Sequence, residues 1–417
     1  MVYADYAKIQ AEPLLNKLTT CCSMPTIYSI VLVTVLTHTS FKGSKVLVSL
    51  YAIDLGANPL TIGILFATYS VFPVLLSVYA GKLSDRYGFR RPMLFGASGL
   101  AAGLLLPFLV PHLATLFISA ALVGLCYIFY TVAVQHLIGA YGEGIARTRN
   151  YSIFSLGVAL TALLGPTTAG FAIDAIGHRA TYLLLAAFPV LPILALSFYP
   201  RLIPVGSSKY KHKGERRMAD LVRNVPLRRL LVTAGVIETG LELFNFFLPI
   251  YARSLGLSAS LIGMIMGSFA VALLAVRTLM PTLVRRTSEE RVLSGSLYLA
   301  AGACLVFPFA SNFAQLLVIS FVLGLGLGCG SPLSLVLAYN RSPAHRSGEA
   351  IGIRQTVTKV TEMVMPIIFG SLGTALGMGP VFCVDALMLA FGGWLMARDA
   401  HARAHARVPS ETTQDAR

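Results

Sequence analysis

Asp, Glu, Lys and Arg together make up only 12% of this 417-residue chain, about half the share that soluble domains carry. Too few ionisable groups are present to coat a globule, which excludes a water-soluble domain of ordinary composition. Acids are the scarcer sign: 18 Asp and Glu stand against 33 Lys and Arg, a formal net charge of +15. Such a balance invites a nucleic-acid partner, yet no basic–aromatic platform accompanies it, so none is expected. Cysteine is sparse too. Cys21, Cys22, Cys126, Cys304, Cys329 and Cys383 show no metal-ligand spacing, and in apolar runs Cys behaves as a small hydrophobe, so no metal is expected. The sequence also lacks HExxH, GxSxG and Walker patterns. With no nucleophile–base or metal constellation, neither an enzyme nor a cofactor is expected. No cleavable secretory signal is expected either, because the first 25 residues have no apolar core.

What is present in quantity is apolar length. Hydrophobic residues make up 56% of the chain, and the mean hydropathy is +0.73. Twelve apolar runs, near 27–53, 60–80, 92–110, 113–139, 150–173, 180–199, 230–252, 260–281, 291–310, 314–338, 350–373 and 379–397, are each long enough to cross a bilayer as a helix. The fold class expected is an all-α membrane protein of twelve transmembrane helices. The basic residues fix its orientation. With the N-terminus in the cytoplasm, 26 of the 33 Lys and Arg fall in cytoplasmic segments, and only Arg179 and Arg253 fall on the other side. That is the positive-inside pattern, so both termini are expected to be cytoplasmic, in a multi-pass protein of the inner (cytoplasmic) membrane. Between the sixth and seventh runs lies one sizeable basic linker, 200–229, which divides an N-terminal half (1–199) from a C-terminal half (230–397). The polar tail, 398–417, is expected to be disordered.

The halves repeat each other. Tyr51–Gly56 reads YAIDLG and Tyr251–Gly256 reads YARSLG; Gly63 falls on Gly263, Pro166 on Pro366, Gly170 on Gly370 and Gly177 on Gly377, without a gap. A duplication in a chain this apolar predicts two pseudo-symmetric six-helix halves around a central site, an arrangement that points to transport.

After the second run comes Gly81, Lys82, Leu83, Ser84, Asp85, Arg86, Tyr87, Gly88, Phe89, Arg90, Arg91. Here Gly81 permits close helix approach, Asp85 can accept from helix N-terminal amides or pair with a base, Gly88 allows a turn, and Arg90 and Arg91 hold the loop at the cytoplasmic face. The segment resembles the loop 2–3 signature of the major facilitator superfamily, G-x-L-(a)-D-R-x-G-x-R/K, and the resemblance covers the whole chain. It implies that Gly81, Asp85, Arg86, Gly88 and Arg90 form a latch that holds the halves in the outward-facing state. In the second copy, Pro281–Arg286, Asp85 is replaced by Arg285. Family antiporters often carry GxxxGPxxGG in helix 5. This chain has Gly165, Pro166 and Gly170, with Thr161 and Ala169 in place of two glycines. No Arg lies in 119–136, where proton-coupled drug antiporters of the family usually have one.

Ionisable groups within the runs are costly, at about 3 kcal/mol or more each, so they should pair or line a wet cavity. The repeat sets His38 on Glu238, Lys42 on Glu242 and Lys45 on Asn245, and i, i+4 spacing puts 38/42 and 238/242 each on one helix face. The family's central cavity is lined by helices 1, 4, 7 and 10, so a basic and an acidic face are expected to meet there, with Lys42–Glu242 as the most economical pair. Glu238 and Glu242 are the candidate proton-coupling groups. Arg277, Arg354, Lys359 and Glu362 are further cavity candidates, Lys359 and Glu362 being positioned to pair at i, i+3; Asp385 is read as structural. Tyr127, Tyr130 and Gln135 of the fourth run can add stacking and hydrogen bonds. The expectation is a monomeric secondary transporter in the lipid bilayer that exports a small amphiphilic metabolite, xenobiotic or siderophore against protons by alternating access. An importer of an organic anion and a non-transporting membrane sensor are the alternatives.

Overall fold

The computed structural model describes the backbone of residues 2–140, 144–198, 224–341 and 347–406, with side chains except at 2–26, 78, 85, 139–140, 144–148, 151, 339, 347–349 and 403–406. Every regular element described is a helix. The first half holds α1 (Val2–Asp54), α2 (Pro59–Tyr87), α3 (Arg90–Leu109), α4 (Leu113–Ala140), α5 (Gly144–Ala187) and α6 (Val190–Phe198). The second holds α7 (Val225–Ser254), α8 (Ala259–Arg286), α9 (Glu289–Val306, followed by a 3₁₀ turn), α10 (Phe313–Gly328), α11 (Gly330–Arg341), α12 (Ser347–Leu376) and α13 (Met378–Ala406).

These elements carry the expected runs with three adjustments. The fifth and sixth runs join in one helix kinked at Gly177, where φ is 77°, and the sixth is divided again between Ala187 and Val190. The tenth run is divided between α10 and α11 at Cys329. The final helix passes the expected boundary at 397 and runs to Ala406, because the Ala- and Arg-rich sequence there is a good helix former. The linker also ends earlier than expected: α7 begins at Val225, capped by Asn224, and residues 199–223 lie outside the described part, as does the tail from 407.

Among the described residues, nine helical stretches are long and apolar enough to cross a membrane by length and composition, the one at Ser152–Phe198 being long enough for two passes. α1 and α12 fall outside that set, since Lys42, Lys45, Arg354, Lys359 and Glu362 lower their hydropathy. The helices with the weakest membrane signal therefore carry most of the interior charge.

The repeat is visible in the turns. At the end of α1, Ala57 N–H donates to Ala52 O (2.9 Å) and Gly56 N–H to Ile53 O (2.9 Å); at the end of α7, Leu257 N–H donates to Ala252 O (3.2 Å) and Gly256 N–H to Arg253 O (2.9 Å). Both turns need a left-handed residue, which glycine supplies at φ 82° and 78°. Asn58 and Ser258 then cap the next helix, accepting from Thr61 N–H and Leu261 N–H.

Within each half the same partners recur: α1 packs on α5 as α7 packs on α12, and α3 on α4 as α9 on α10. Between halves, α2 packs on α12 and α5 on α8. Small residues set the distance. A Cβ added to Gly63 would lie 2.2 Å from the Pro366 carbonyl oxygen, and one added to Gly263 2.8 Å from that of Pro166. Gly370 and Gly170 make the reciprocal approach to Pro59 O and Ala259 O, at 2.7 and 2.3 Å on the same measure. These contacts all belong to the end of the molecule that bears Gly56, Gly256, Gly177 and Gly377, here termed the outer end.

Candidate functional site

α1 and α7 approach each other where the halves meet, and charge joins them. Lys45 Nζ lies 3.5 Å from Glu242 Oε2, with side-chain exposures of 10% and 6%. The expected pair was Lys42 with Glu242. Lys45 takes that place because it lies one turn nearer the outer end, where the halves touch. Its ammonium also sits 5.9 Å from the Phe41 ring and 5.6 Å from the Phe66 ring, and Phe66 packs on Phe246 of the other half at 5.3 Å. Pair and rings together form an aromatic and ionic seal across the interface.

Inward of the seal lie Lys42 and Glu238, both half-buried. Among the described residues, neither has an ion-pair or hydrogen-bond partner. The charges bearing on Lys42 are Lys45, Glu242, Glu362 and Lys359; those bearing on Glu238 are Glu362, Glu242, Lys359 and Lys42, with Arg354 in reach as well. The i, i+3 pair expected on α12 is present, with Lys359 Nζ 2.6 Å from Glu362 Oε1. Arg354 is buried and donates to Ser334 Oγ (2.9 Å) and Ser331 O (3.2 Å) of α11. Two bases on α1, two acids on α7 and three charges on α12 thus share one compartment.

Aromatic residues line it. Tyr127 of α4 stacks on Phe41 with centroids 3.5 Å apart and planes 3° from parallel. His38, buried, sets its ring edge-on to Tyr127 at 5.2 Å and to Tyr130 at 6.1 Å. Asn245 lies half-buried a turn beyond Glu242. Two candidates stand apart. Gln135 is exposed, two turns inward on α4, and Arg277 is held at the α10–α11 break, donating to Gly328 O at 3.4 Å. Asp385 is fully buried and accepts from the Cys304 thiol (3.4 Å) between α13 and α9, remote from the compartment's bases.

The helix-5 motif has a two-sided packing task. A Cβ on Gly165 would lie 2.6 Å from Lys42 Cβ, so its absence lets α1 press on α5 at the level of Lys42. The carbonyl of Pro166 and the backbone of Gly170 face α8. In the loop after α2, Gly88 takes φ 74°. Arg86 covers the Tyr87 ring at 5.3 Å. Arg90 donates to Leu196 O (2.6 Å) and Ser197 O (2.7 Å), capping the C-terminal end of α6. Gly81 lies opposite His136; the Asp85 side chain is outside the described residues.

Two acids at the outer end, Asp54 and Asp174, are not among the expected site residues. Asp54 pairs with Arg253 of the other half (3.3 Å) and with His178 (3.3 Å). Asp174 at the end of the fifth run accepts from Ala259 N–H (3.1 Å), Ser260 N–H (2.7 Å) and the Ser260 hydroxyl. It thereby caps the start of α8 across the interface. Two hundred residues on, Thr374 caps α2 by accepting from Leu60 N–H (3.2 Å). The signal was available: Asp174 aligns with Thr374, a matched pair of acceptors.

Comparison with known proteins gives a consistent picture. The pattern of the Major Facilitator Superfamily matches residues 30–237 and again 230–415. Multidrug resistance protein MdtG of Dickeya zeae (strain Ech586) is 27% identical over 84% of this chain and 89% of its own length. MdtG of Citrobacter koseri is 27% identical over 79% and 82%. Among solved structures, a bacterial homolog of the human lysosomal transporter Spinster, inward-facing and unoccupied, superposes with a TM-score of 0.75 at 12% identity, over 93% of this chain and all of that one. The peptide transporter POT in complex with sulfate gives 0.73 at 16% identity, over 90% and 94%.

Proposed function

The chain belongs to the Major Facilitator Superfamily and is a multi-pass secondary transporter of small molecules, and on that premise we propose that it exports a small amphiphilic metabolite, xenobiotic or siderophore in exchange for protons. The observation that carries the reading is the buried Lys45–Glu242 pair between the halves, with Glu238 one turn inward of it. Alternating access requires the halves to separate at one end and close at the other. An ion pair that spans the interface responds to the proton state of its acid, and so links protonation to that movement. Glu238 and Glu242 are the proton-coupling residues in this reading, with Lys42, Lys45 and His38 setting their affinity. Glu362, held by Lys359, is the reserve candidate. Names of relatives at about a quarter identity support export of foreign compounds.

The protein sits in the inner membrane as a monomer with both termini cytoplasmic, and the loop after α2 acts as the latch of the outward-facing state. Asp85→Asn is then expected to leave expression intact and to cut turnover.

The test uses inside-out vesicles with an imposed acid interior and a panel of amphiphilic dyes and antibiotics. Uptake should be uphill and abolished by a protonophore. Glu238→Gln and Glu242→Gln retain size but cannot titrate, so each should still bind and exchange substrate without concentrating it. Uphill, pH-driven accumulation by the double variant overturns the assignment.

A further inference from the structure

We propose, resting on the transport reading above, that the compartment inward of the Lys45–Glu242 seal receives a zwitterion: a small molecule with an aromatic body, one anionic oxygen group and one protonated amine. The argument begins with which charges are already satisfied. Of the three lysines and three glutamates that α1, α7 and α12 bring to the compartment, Lys45 is matched with Glu242 and Lys359 with Glu362. Lys42 and Glu238 remain, one from each half. Among the described residues they form no ion pair or hydrogen bond with each other or with anything else. Both are half-buried, whereas Lys45 and Glu242 are buried. A charge withdrawn from water without a partner is costly, so these two groups are complementary to charges that arrive with a ligand.

The signs decide the ligand's class. The compartment holds four bases (Lys42, Lys45, Lys359, Arg354) and three acids (Glu238, Glu242, Glu362). A lone cation would meet the surplus of positive charge, with only Glu238 free to receive it. A lone anion would satisfy Lys42 but leave Glu238 without a partner. A zwitterion satisfies both. The stacked Phe41 and Tyr127 rings, with the His38 ring edge-on to Tyr127, lie beside Lys42 and offer a face to an aromatic body.

The same arrangement gives exchange. Glu238 can hold the ligand's ammonium or a proton, but not both, so a proton arriving from the outer side expels the amine. The anionic group at Lys42 supplies binding without entering that competition. A monoanion would lack the competing group and would not be forced to exchange.

The experiment measures binding to the full-length protein in lipid nanodiscs with two matched series. One is ciprofloxacin (amine and carboxylate), its methyl ester (amine alone) and its N-acetyl derivative (carboxylate alone). The other is tryptophan, its amide and N-acetyltryptophan, which places the charges closer together. In at least one series the doubly charged parent should bind about tenfold more tightly than either analogue, as expected for one added charge-assisted contact. Lys42→Gln should erase the parent's advantage over the analogue lacking the carboxylate, and Glu238→Gln its advantage over the analogue lacking the amine. Lys42→Arg should restore the first advantage, which separates loss of charge from loss of fold. The proposal is overturned if neither parent outbinds both analogues, absence of any binding included, or if the two variants weaken all three members of a series alike. The transport reading fails separately. Proton-driven movement of a monocation without a zwitterion preference would sink only this inference, while a zwitterion preference without proton-driven movement would sink only the exchange reading.

Discussion

Lys45 and Glu242 hold opposite charges in a dry place, each anchored on its own half. Removing one member leaves the other charged and buried, and such losses cost about 3–5 kcal/mol. Lys45→Ala and Glu242→Ala are therefore expected to lower the melting temperature of the purified protein clearly. The double change Lys45→Met, Glu242→Met replaces the pair with matched apolar volume and should recover most of that stability while transport stays absent. Thermal melts followed by size-exclusion fluorescence check the first outcome, and vesicle uptake the second. An intact melting temperature in both single variants would show that water reaches the pair. The sequence carried the members of this site but not their pairing. A 200-residue offset maps each residue to its symmetry mate, which is a statement about equivalence rather than contact. Lys42 was therefore set against Glu242, although Lys45, one turn nearer the outer end where the halves touch, makes the contact. Gly165, which presses on Lys42 from α5, is part of what holds that register.

Among elements, the crossings α2–α12 and α5–α8 hold the outer end shut. A Cβ would lie 2.2 Å from the facing backbone carbonyl at Gly63 and 2.8 Å at Gly263, so both need backbone movement and Gly63 needs more. Overpacking of this kind costs about 1–3 kcal/mol. Gly63→Ala should open the outer end more than Gly263→Ala does, read as faster alkylation of a cysteine placed at Ile250 over the background of native cysteines. Equal rates for both variants and for the parent would contradict the closure. Asp174 adds a carboxylate at the N-terminus of α8, worth about 0.3–1 kcal/mol and up to about 2 when partly buried. Asp174→Asn should therefore raise the same alkylation rate, and the neutral Thr374→Val at the mate position should raise it less. Much of this level was legible in the residues. The repeat set Gly56 on Gly256 and Gly177 on Gly377, and all four adopt φ > 0. The break at Cys329 and the extension of α13 to Ala406 were not legible. Apolar periodicity is continuous across the first, and helix propensity outlasts the membrane-length run in the second. The outer charge contacts were hidden for another reason: Asp54 and Asp174 lie at the ends of runs, where a charge needs no explanation until a partner from the distant half is seen.

At the scale of the molecule, the proposed orientation rests on the basic residues. Reporter fusions after Pro59 and after Ser207 are expected to report opposite sides of the membrane, and the same side for both would overturn the placement of both termini in the cytoplasm. The reciprocal contacts across the outer end have a consequence of another kind. Pro166 meets Gly263 while Pro366 meets Gly63, and Gly170 meets Ala259 while Gly370 meets Pro59. Shifted by 200, each contact becomes the other. That is the rule of a two-fold homodimer, in which residue i touches j and j touches i. A half-length ancestor would have needed only one such patch, complementary to itself, to assemble into the whole. Fusion of two copies then freed each to diverge, and the charges did: bases on the α1 side, acids at the matching places of α7. The asymmetry on which the proposed exchange depends is thus a property no single ancestral half could possess, since a symmetric dimer must carry the same residue at both equivalent places.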